Sequence, residues 1–139
     1  MAKAKYDLRQ LLRTVVEKQA SDLHIAAGAV PKIRIDGELV PCGDEVLAAA
    51  DARALCYESL TPEQAASFEK SFEIDLAIEE DSLKTRFRVN LSFQRGTVAG
   101  AFRPIPILIP KAADLGIPPQ AMALTEKPRG LVLVTGPTG

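Results

Sequence analysis

The residues with the clearest chemical pattern form the stretch Leu131-Val-Leu-Val-Thr-Gly-Pro-Thr-Gly139. Four apolar, β-favouring residues that lead into a glycine-bounded turn are typical of a buried strand entering a phosphate-binding loop. The complete loop has Gly, four residues, Gly, Lys and Ser or Thr. Gly136, Pro137, Thr138 and Gly139 match only its first half, without the lysine for the phosphates or the hydroxyl for Mg²⁺. We expect the start of a nucleotide-binding motor domain here.

A second set of candidate residues lies on two consecutive predicted strands. In Thr85–Gln94 polar residues alternate with apolar ones, and Thr97–Arg103 is the expected return strand. If Arg95-Gly96 is a two-residue turn, Arg88 lies opposite Arg103, and the apolar residues of both strands share the other face. Two facing arginines repel each other by a few tenths to about 1 kcal/mol. We therefore expect an anionic group beside them.

Three surroundings for these arginines are compatible with the residues alone. A carboxylate of the same domain could pair with them, or they could simply be solvated, as most surface charges are. The third possibility is a phosphate. Guanidinium suits a phosphoryl group because it is permanently charged, planar and able to form two hydrogen bonds.

Composition narrows the class of protein. The 139 residues include 17 basic and 18 acidic ones, with no Lys/Arg-rich stripe and few aromatics, so we expect no nucleic-acid partner. The apolar runs are far shorter than the ~20 residues of a membrane span, and no secretory signal begins the sequence, so we expect a cytoplasmic protein. Cys42, Cys56 and His24 lack the spacing of a metal site, and we expect two free thiols.

Hydrophobic periodicity predicts an α+β domain with an antiparallel sheet. We expect a hairpin that turns at Asp36-Gly37, and a strand around Ile74–Ile78 that a polar turn joins to the long strand at Thr85. The predicted helices span about residues 8–19, Asp51–Leu60, and a third segment that Thr61, Pro62 and Gln64 initiate.

The domain organisation follows from proline content. Five prolines lie between Pro104 and Pro119, which is too many for a sheet interior or a long helix. We therefore place one domain at 1–103, a proline-rich linker with short helical turns at 104–127, and the start of a second domain at 128–139. Asp22 and His24 have no nucleophile or second acid beside them, so we assign them a structural hydrogen bond.

Five motifs, taken together, resemble a known family. The chain is similar to the type IV pilus retraction ATPases, which are the PilT twitching-motility proteins within the secretion and pilus ATPase superfamily. The matching motifs occur in the family's order, and they are Ala20-Ser-Asp-Leu-His-Ile25, Ile33-Arg-Ile-Asp-Gly-Glu38, Arg86-Phe-Arg-Val-Asn90, Phe102-Arg-Pro-Ile-Pro106 and Pro128-Arg-Gly-Leu-Val-Leu-Val-Thr-Gly-Pro-Thr-Gly139. The resemblance covers nearly the whole chain. The short segment before the first helix also favours the retraction type.

The resemblance implies both an architecture and a role. The first domain is expected to be PAS-like, with helices flanking its antiparallel sheet, and to precede the first strand of a RecA-like ATPase. The family works as a homo-hexamer at an inner-membrane pilus platform protein, so a cytoplasmic location at the pilus base is expected. Each N-terminal domain packs on the neighbouring motor domain.

The positions that match the family's nucleotide-directed arginines are Arg88 and Arg103, with Arg34, Arg86 and Arg95 as weaker candidates. The implied cofactors of the full-length protein are ATP and Mg²⁺, and we expect neither tight binding nor ATP hydrolysis by these 139 residues alone. Three alternatives remain open: a pilus-assembly or type II secretion ATPase, a PAS-like ligand-sensing module, and a purely structural oligomerisation domain.

Overall fold

The computed structural model describes residues 6–136, which form two compact units, one ending at Ile107 and one beginning at Leu108. The first unit contains three helices, six strands and a 3-10 turn at Asp81–Leu83. Its elements in chain order are α1 (Leu8–Glu17), β1 (Asp22–Ile25), β2 (Lys32–Ile35), β3 (Glu38–Pro41), α2 (Ala49–Tyr57), α3 (Pro62–Ser71), β4 (Glu73–Glu80), β5 (Thr85–Gln94) and β6 (Thr97–Pro106).

Side-chain caps determine where the helices begin. Asp7 caps α1, because its Oδ1 accepts a hydrogen bond from the Gln10 backbone N–H at 2.9 Å. Thr61 and Gln64 form the predicted capping box of α3, with distances of 2.9 and 3.3 Å. The α2 helix begins two residues before the predicted Asp51. There the Asp51 carboxylate accepts the Ala48 N–H at 3.0 Å and so stabilises an earlier first turn.

The sheet is antiparallel throughout, with strand order β3-β2-β1-β6-β5-β4. One face carries the alternating apolar side chains and packs against the three helices in a single core. The largest side chains in this core are Phe68, Phe87 and Phe102, and each is fully buried. The opposite face carries the polar residues of the same strands, so the two sides of the sheet differ sharply in character.

The β5–β6 hairpin has the predicted register. Arg88 pairs with Arg103, while Val89 pairs with Phe102 on the opposite, buried face. Both residues of the two-residue turn have positive φ angles, 51° at Arg95 and 77° at the following glycine. This is the turn geometry that matches the twist of two antiparallel strands.

The β6 strand continues to Pro106, three residues beyond its predicted end at Arg103. Pairing with β1 reaches only as far as Phe102, so beyond this point β6 has β5 as its only neighbour. Proline lacks an N–H group but is tolerated on such an edge. Pro104 and Pro106 therefore fit in the strand, and proline content alone misplaced its end.

The second unit contains α4 (Pro119–Met122) and a 3-10 turn at Ala123–Glu126. The strand predicted at Leu131–Val134 is not formed, and residues 131–136 have no regular secondary structure. An isolated strand has no hydrogen-bonded neighbour, and the described part of this unit holds no other strand. Pro137, Thr138 and Gly139 lie outside the described residues.

Gly100 allows α2 to approach β6 closely. A methyl group at this position would lie 2.9 Å from Cys56 Sγ and 2.9 Å from Leu91 Cδ2. We expect Gly100→Ala to lower the free energy of unfolding by about 1–3 kcal/mol, because overpacking shifts a filled core. Urea denaturation measures this, with Ala101→Ser on the polar face of the same strand as the control. Equal stability of Gly100→Ala and the parent would contradict this packing.

Candidate functional site

A groove of about 270 Å³ lies on the polar face of the sheet. Its polar lining comes from four neighbouring strands and consists of Asp22, His24, Asp75, Arg88, Asn90 and Arg103. Both arginines predicted as site residues therefore line the same depression. The arrangement follows from alternation, because each of these residues neighbours an apolar residue of its own strand that is buried or, beside Asp75, partly buried.

Strand pairing explains how distant residues meet in the groove. His24 pairs with Ala101, Ala101 with Asn90, and Asn90 with Asp75, so one row crosses the four strands from β1 to β4. The Arg88–Arg103 pair occupies the adjacent row. Ala101 contributes only a methyl group between larger neighbours, which leaves room above the middle of the sheet.

Arg88 is engaged by a carboxylate of its own domain. Its Nη2 donates to Asp75 Oδ2 at 2.6 Å, and its Nε lies 3.1 and 3.2 Å from the two carboxylate oxygens. These hydrogen bonds lower the pKa of Asp75 and raise that of Arg88. Both side chains are substantially exposed, at 62% and 44%, so solvent screens the pair. For Arg88, the structure shows the carboxylate alternative that the sequence left open.

Arg103 differs from Arg88 in its surroundings. Its side chain is exposed, and no hydrogen bond or ion pair joins it to any residue between positions 6 and 136. The groove thus presents one guanidinium held by Asp75 and one with its donors available. Such an asymmetric pair offers an incoming anion an immediate contact at Arg103.

Asp22 and His24 form a hydrogen-bonded pair at the wall of the groove. His24 Nε2 lies 2.7 Å from Asp22 Oδ1, while Ser21 Oγ donates to Asp22 Oδ2 at 2.6 Å and Arg34 Nε lies 3.2 Å from the same oxygen. Burial alone would raise the pKa of Asp22, but the hydrogen bonds from Ser21 and His24 and the charges of His24 and Arg34 lower it below the usual value.

The structural hydrogen bond predicted for Asp22 and His24 is present, although their location in the groove was not anticipated. Asp-x-His in an alternating strand already places both side chains on one face. The missing information was that β1 pairs with β6, which brings them beside Arg103. Asp75 was also missed as the partner of Arg88, although its alternation with apolar residues placed it on the polar face.

The remaining candidates lie elsewhere. Arg34 contacts Asp22 and donates to the Gly37 carbonyl at 3.0 Å, and Arg86 Nε lies 3.2 Å from Glu79 Oε1. Arg95 is in the hairpin turn, beside a separate and larger open depression of about 780 Å³. Gly136 belongs to the second unit, and the other three loop residues lie outside the described range.

The available groups suit an anion better than a metal ion or a covalent reaction. No group of three or more His, Cys, Asp and Glu side chains within residues 6–136 is arranged to hold a metal ion. Burial raises the pKa of Cys56 to about 12, which keeps this thiol protonated and unreactive. No helix in the same range is long and apolar enough to cross a membrane.

Comparison with known proteins identifies relatives over nearly the whole chain. The type IV pilus retraction ATPase PilT of Pseudomonas aeruginosa is 37% identical over 133 residues, which is 96% of this chain and 38% of PilT. The type IV pilus ATPase PilU of the same organism is 32% identical over 96% of the chain and 35% of PilU. A twitching motility protein of Neisseria gonorrhoeae is 31% identical over 96% of the chain and 36% of its own length. No protein-family model matches.

Solved structures share the fold. A crystal structure of the pilus retraction motor PilT with bound ADP matches with a TM-score of 0.81 and 34% identity, over 97% of this chain and 39% of that one. The ATPase DotB of Legionella pneumophila matches in fold, with a TM-score of 0.65 at 19% identity, over 88% and 36% of the two chains.

The fold is therefore one that occurs in ATPases of the PilT and DotB type, and the polar groove lies within it. Over 96% of its length, the chain is a homologue of the pilus ATPases PilT and PilU. It spans about 38% of the length of the curated relative PilT.

The Asp22 network predicts a specific dependence of stability on pH. Because the folded-state pKa of Asp22 is lowered, its contribution is present above the unfolded value of about 3.9 and is lost as pH falls through the folded value. We expect Asp22→Asn to cost about 1–3 kcal/mol of unfolding free energy at pH 7, and progressively less below pH ~4.

Urea denaturation at several pH values measures this difference. The exposed and unpartnered Asp44 provides the control, since Asp44→Asn removes the same charge without a described hydrogen bond. A cost for Asp22→Asn that does not change with pH would show that the carboxylate charge is not what stabilises the network.

Proposed function

We propose that this chain is the N-terminal part of a hexameric ATP-hydrolysing motor that drives type IV pilus retraction and twitching motility. In this proposal, the sheet domain packs on the motor domain of a neighbouring subunit. Its polar groove then faces that subunit's nucleotide, and Arg88 and Arg103 contact the terminal phosphate. The observation that carries the proposal is the pairing of these two arginines across one hairpin, with the donors of Arg103 available.

The arginines suit the transfer of a phosphoryl group. Negative charge redistributes over the phosphate oxygens during transfer, and a guanidinium that is already in position stabilises it without reorganisation. Asp75 already offsets the charge of Arg88, so the repulsion that an approaching phosphate would relieve is mainly that felt by Arg103.

Arg88 must exchange one anionic partner for another. Its contact with Asp75 is short but exposed, and exposed ion pairs contribute little to stability because solvent screens them. A phosphate carries more charge than a carboxylate and accepts hydrogen bonds on several oxygens. The Arg88–Asp75 pair therefore acts as a resting position that a bound nucleotide can displace at low cost.

ATP and Mg²⁺ are the cofactors in this proposal. The donors that line the groove fit a terminal phosphate, whereas Mg²⁺ needs ligands that residues 6–136 do not assemble. When bound, Mg·ATP supplies the phosphoryl group and a bridging cation. This chain contributes the arginine donors that face the phosphate and the rigid sheet that holds them.

The proposed surroundings follow from the relatives' pilus function. We place the motor in the cytoplasm, as a homo-hexamer peripheral to the inner membrane at a pilus platform protein, with no nucleic-acid partner. In this proposal the PAS-like domain predicted at 1–103 extends to the end of β6 at Pro106, the linker follows up to residue 127, and 128–139 are the first strand and loop of a RecA-like domain. A PAS-like sensor is less favoured, because large apolar side chains such as Phe87 and Phe102 fill the interior.

The proposal predicts a separation of activity from stability. In the full-length protein, we expect Arg88→Ala and Arg103→Ala each to lower ATP turnover by about 10³-fold. A loss of this size is typical when an arginine that stabilises the charge of the transition state is removed. The melting temperature should hold or rise slightly, because each change removes one of two repelling charges. Steady-state hydrolysis and thermal melting measure the two effects side by side.

Arg13→Ala is the matched control for these variants. Arg13 is exposed on α1 and has no described partner, so its removal changes net charge equally without touching the groove. Turnover near the parent rate in Arg88→Ala and Arg103→Ala, combined with lower melting temperatures, would show that the arginines only support the fold.

The 139-residue chain alone should neither hydrolyse ATP nor bind Mg·ATP at micromolar concentration. Its sequence holds only half of the phosphate-binding loop, and the groove offers a few donors without a site for the base or sugar. Calorimetry with Mg·ATP checks this expectation. Micromolar affinity would instead favour the ligand-sensing alternative.

A further inference from the structure

We propose that His24 is a further anion-contacting residue of the groove, in which the imidazole joins Arg103 around a tetrahedral oxyanion such as a terminal phosphate. This inference rests on the proposed function for the class of ligand, but it concerns a different strand and a different kind of donor. It also adds a property that arginines cannot have, because an imidazole can gain or lose its charge whereas a guanidinium stays charged.

The position of the imidazole supports this role. His24 and Asn90 flank Ala101 in one cross-strand row, so the ring stands at the edge of the space above the small alanine side chain. The side chain of His24 is 37% exposed, which leaves part of the ring accessible from the groove. Nε2 is occupied by Asp22 at 2.7 Å, whereas Nδ1 has no hydrogen-bond partner among residues 6–136.

Asp22 makes this orientation specific. Its side chain is only 9% exposed and is itself held by Ser21 and Arg34, which keeps the carboxylate from turning towards another partner. A carboxylate bonded to one ring nitrogen keeps a proton there and leaves the other nitrogen for a ligand. When the ring is protonated, Nδ1 becomes a charged donor, and an anion in the groove then contacts imidazolium as well as guanidinium.

The charges around His24 favour an anion once the ring is protonated. The helices α1, α2 and α3 pack on the opposite face of the sheet, so within the described part of the first unit the charged groups near the ring come from the strands. These are Asp22 on β1, Lys32 and Arg34 on β2, Arg103 on β6, Arg88 on β5 and Asp75 on β4. Both carboxylates are already paired: Asp22 with Arg34 and His24, and Asp75 with Arg88. Arg103 and Lys32 have no such partner among residues 6–136, so their charges are not compensated there.

The size of the groove points to part of a ligand. A volume of about 270 Å³ is below the ~300–1,000 Å³ of sites that enclose a whole small molecule. The groove is open and its polar groups converge on one depression, so a single phosphate or sulfate group suits it better than an entire nucleotide.

Sulfate is a suitable probe because its charge stays constant from pH 5.5 to pH 8.0, so any pH dependence of binding arises from the protein. His24 is the only histidine in the chain, so its ring carbon resonances in an NMR titration report on one site. The ionic strength is kept constant with sodium chloride. We expect the His24 ring and the Arg103 amide signals to saturate together, with affinity about threefold to tenfold higher at pH 5.5 than at pH 8.0.

His24→Gln is the decisive variant, because glutamine keeps a polar side chain but cannot be protonated. It should bind sulfate with the same, weaker affinity at both pH values, and Arg13→Ala should retain the pH dependence of the parent. Dispersed amide spectra confirm that each variant is folded.

Several results would overturn the inference: no saturable shifts with sulfate, shifts concentrated outside the groove, parent affinity that does not depend on pH, or unchanged pH dependence in His24→Gln. The parent titration alone decides the matter if the variant does not fold. A negative sulfate titration would not change the outcome of the turnover experiment on Arg88 and Arg103. Conversely, normal turnover in those arginine variants would argue against the proposed function without altering sulfate binding at His24.

Discussion

The structure depends most on the register of the β5–β6 hairpin. One tight turn at Arg95-Gly96 aligns ten residue pairs, and alternation then sends Val89 and Phe102 into the core. The same alignment makes Arg88 and Arg103 neighbours on the other face. A slip by one residue would expose the apolar set, so burial of the core maintains the arginine pair. The apolar packing that stabilises the domain thus also determines which polar side chains are neighbours in the groove.

The two faces of this sheet contribute differently to stability. The apolar face carries the packing against the helices, while the polar face holds charges whose partners are exposed and weakly bound. Asp22 is the exception, since it is nearly buried and joins Ser21, His24 and Arg34 in one network. This face can therefore change its ion pairs when an anion arrives without disturbing the core.

Local patterns made much of the fold predictable from the sequence. The Thr61 cap, the Asp36-Gly37 turn and the alternation in β5 each depend on residues close together in the chain. Pairing between distant strands has no such signal, so the sequence did not show that β1 lies beside β6 or that Asp75 reaches Arg88. The end of β6 was also misplaced because strand pairing was not known. Proline is tolerated in a strand at an edge, and the sequence did not show that pairing with β1 ends at Phe102.

The proposed mechanism requires Arg88 and Arg103 to act on the nucleotide of a neighbouring subunit. The most direct measurement is ATP turnover in mixed rings that combine Arg103→Ala subunits with subunits in which the lysine of the phosphate-binding loop is replaced. A ring built from either variant alone is inactive. In an equal, random mixture, roughly a quarter of the interfaces join a subunit with an intact loop lysine to a neighbour with an intact Arg103. If Arg103 acts across the interface, these interfaces are competent. We expect mixing to restore part of the turnover. No recovery at any mixing ratio would contradict action across the interface.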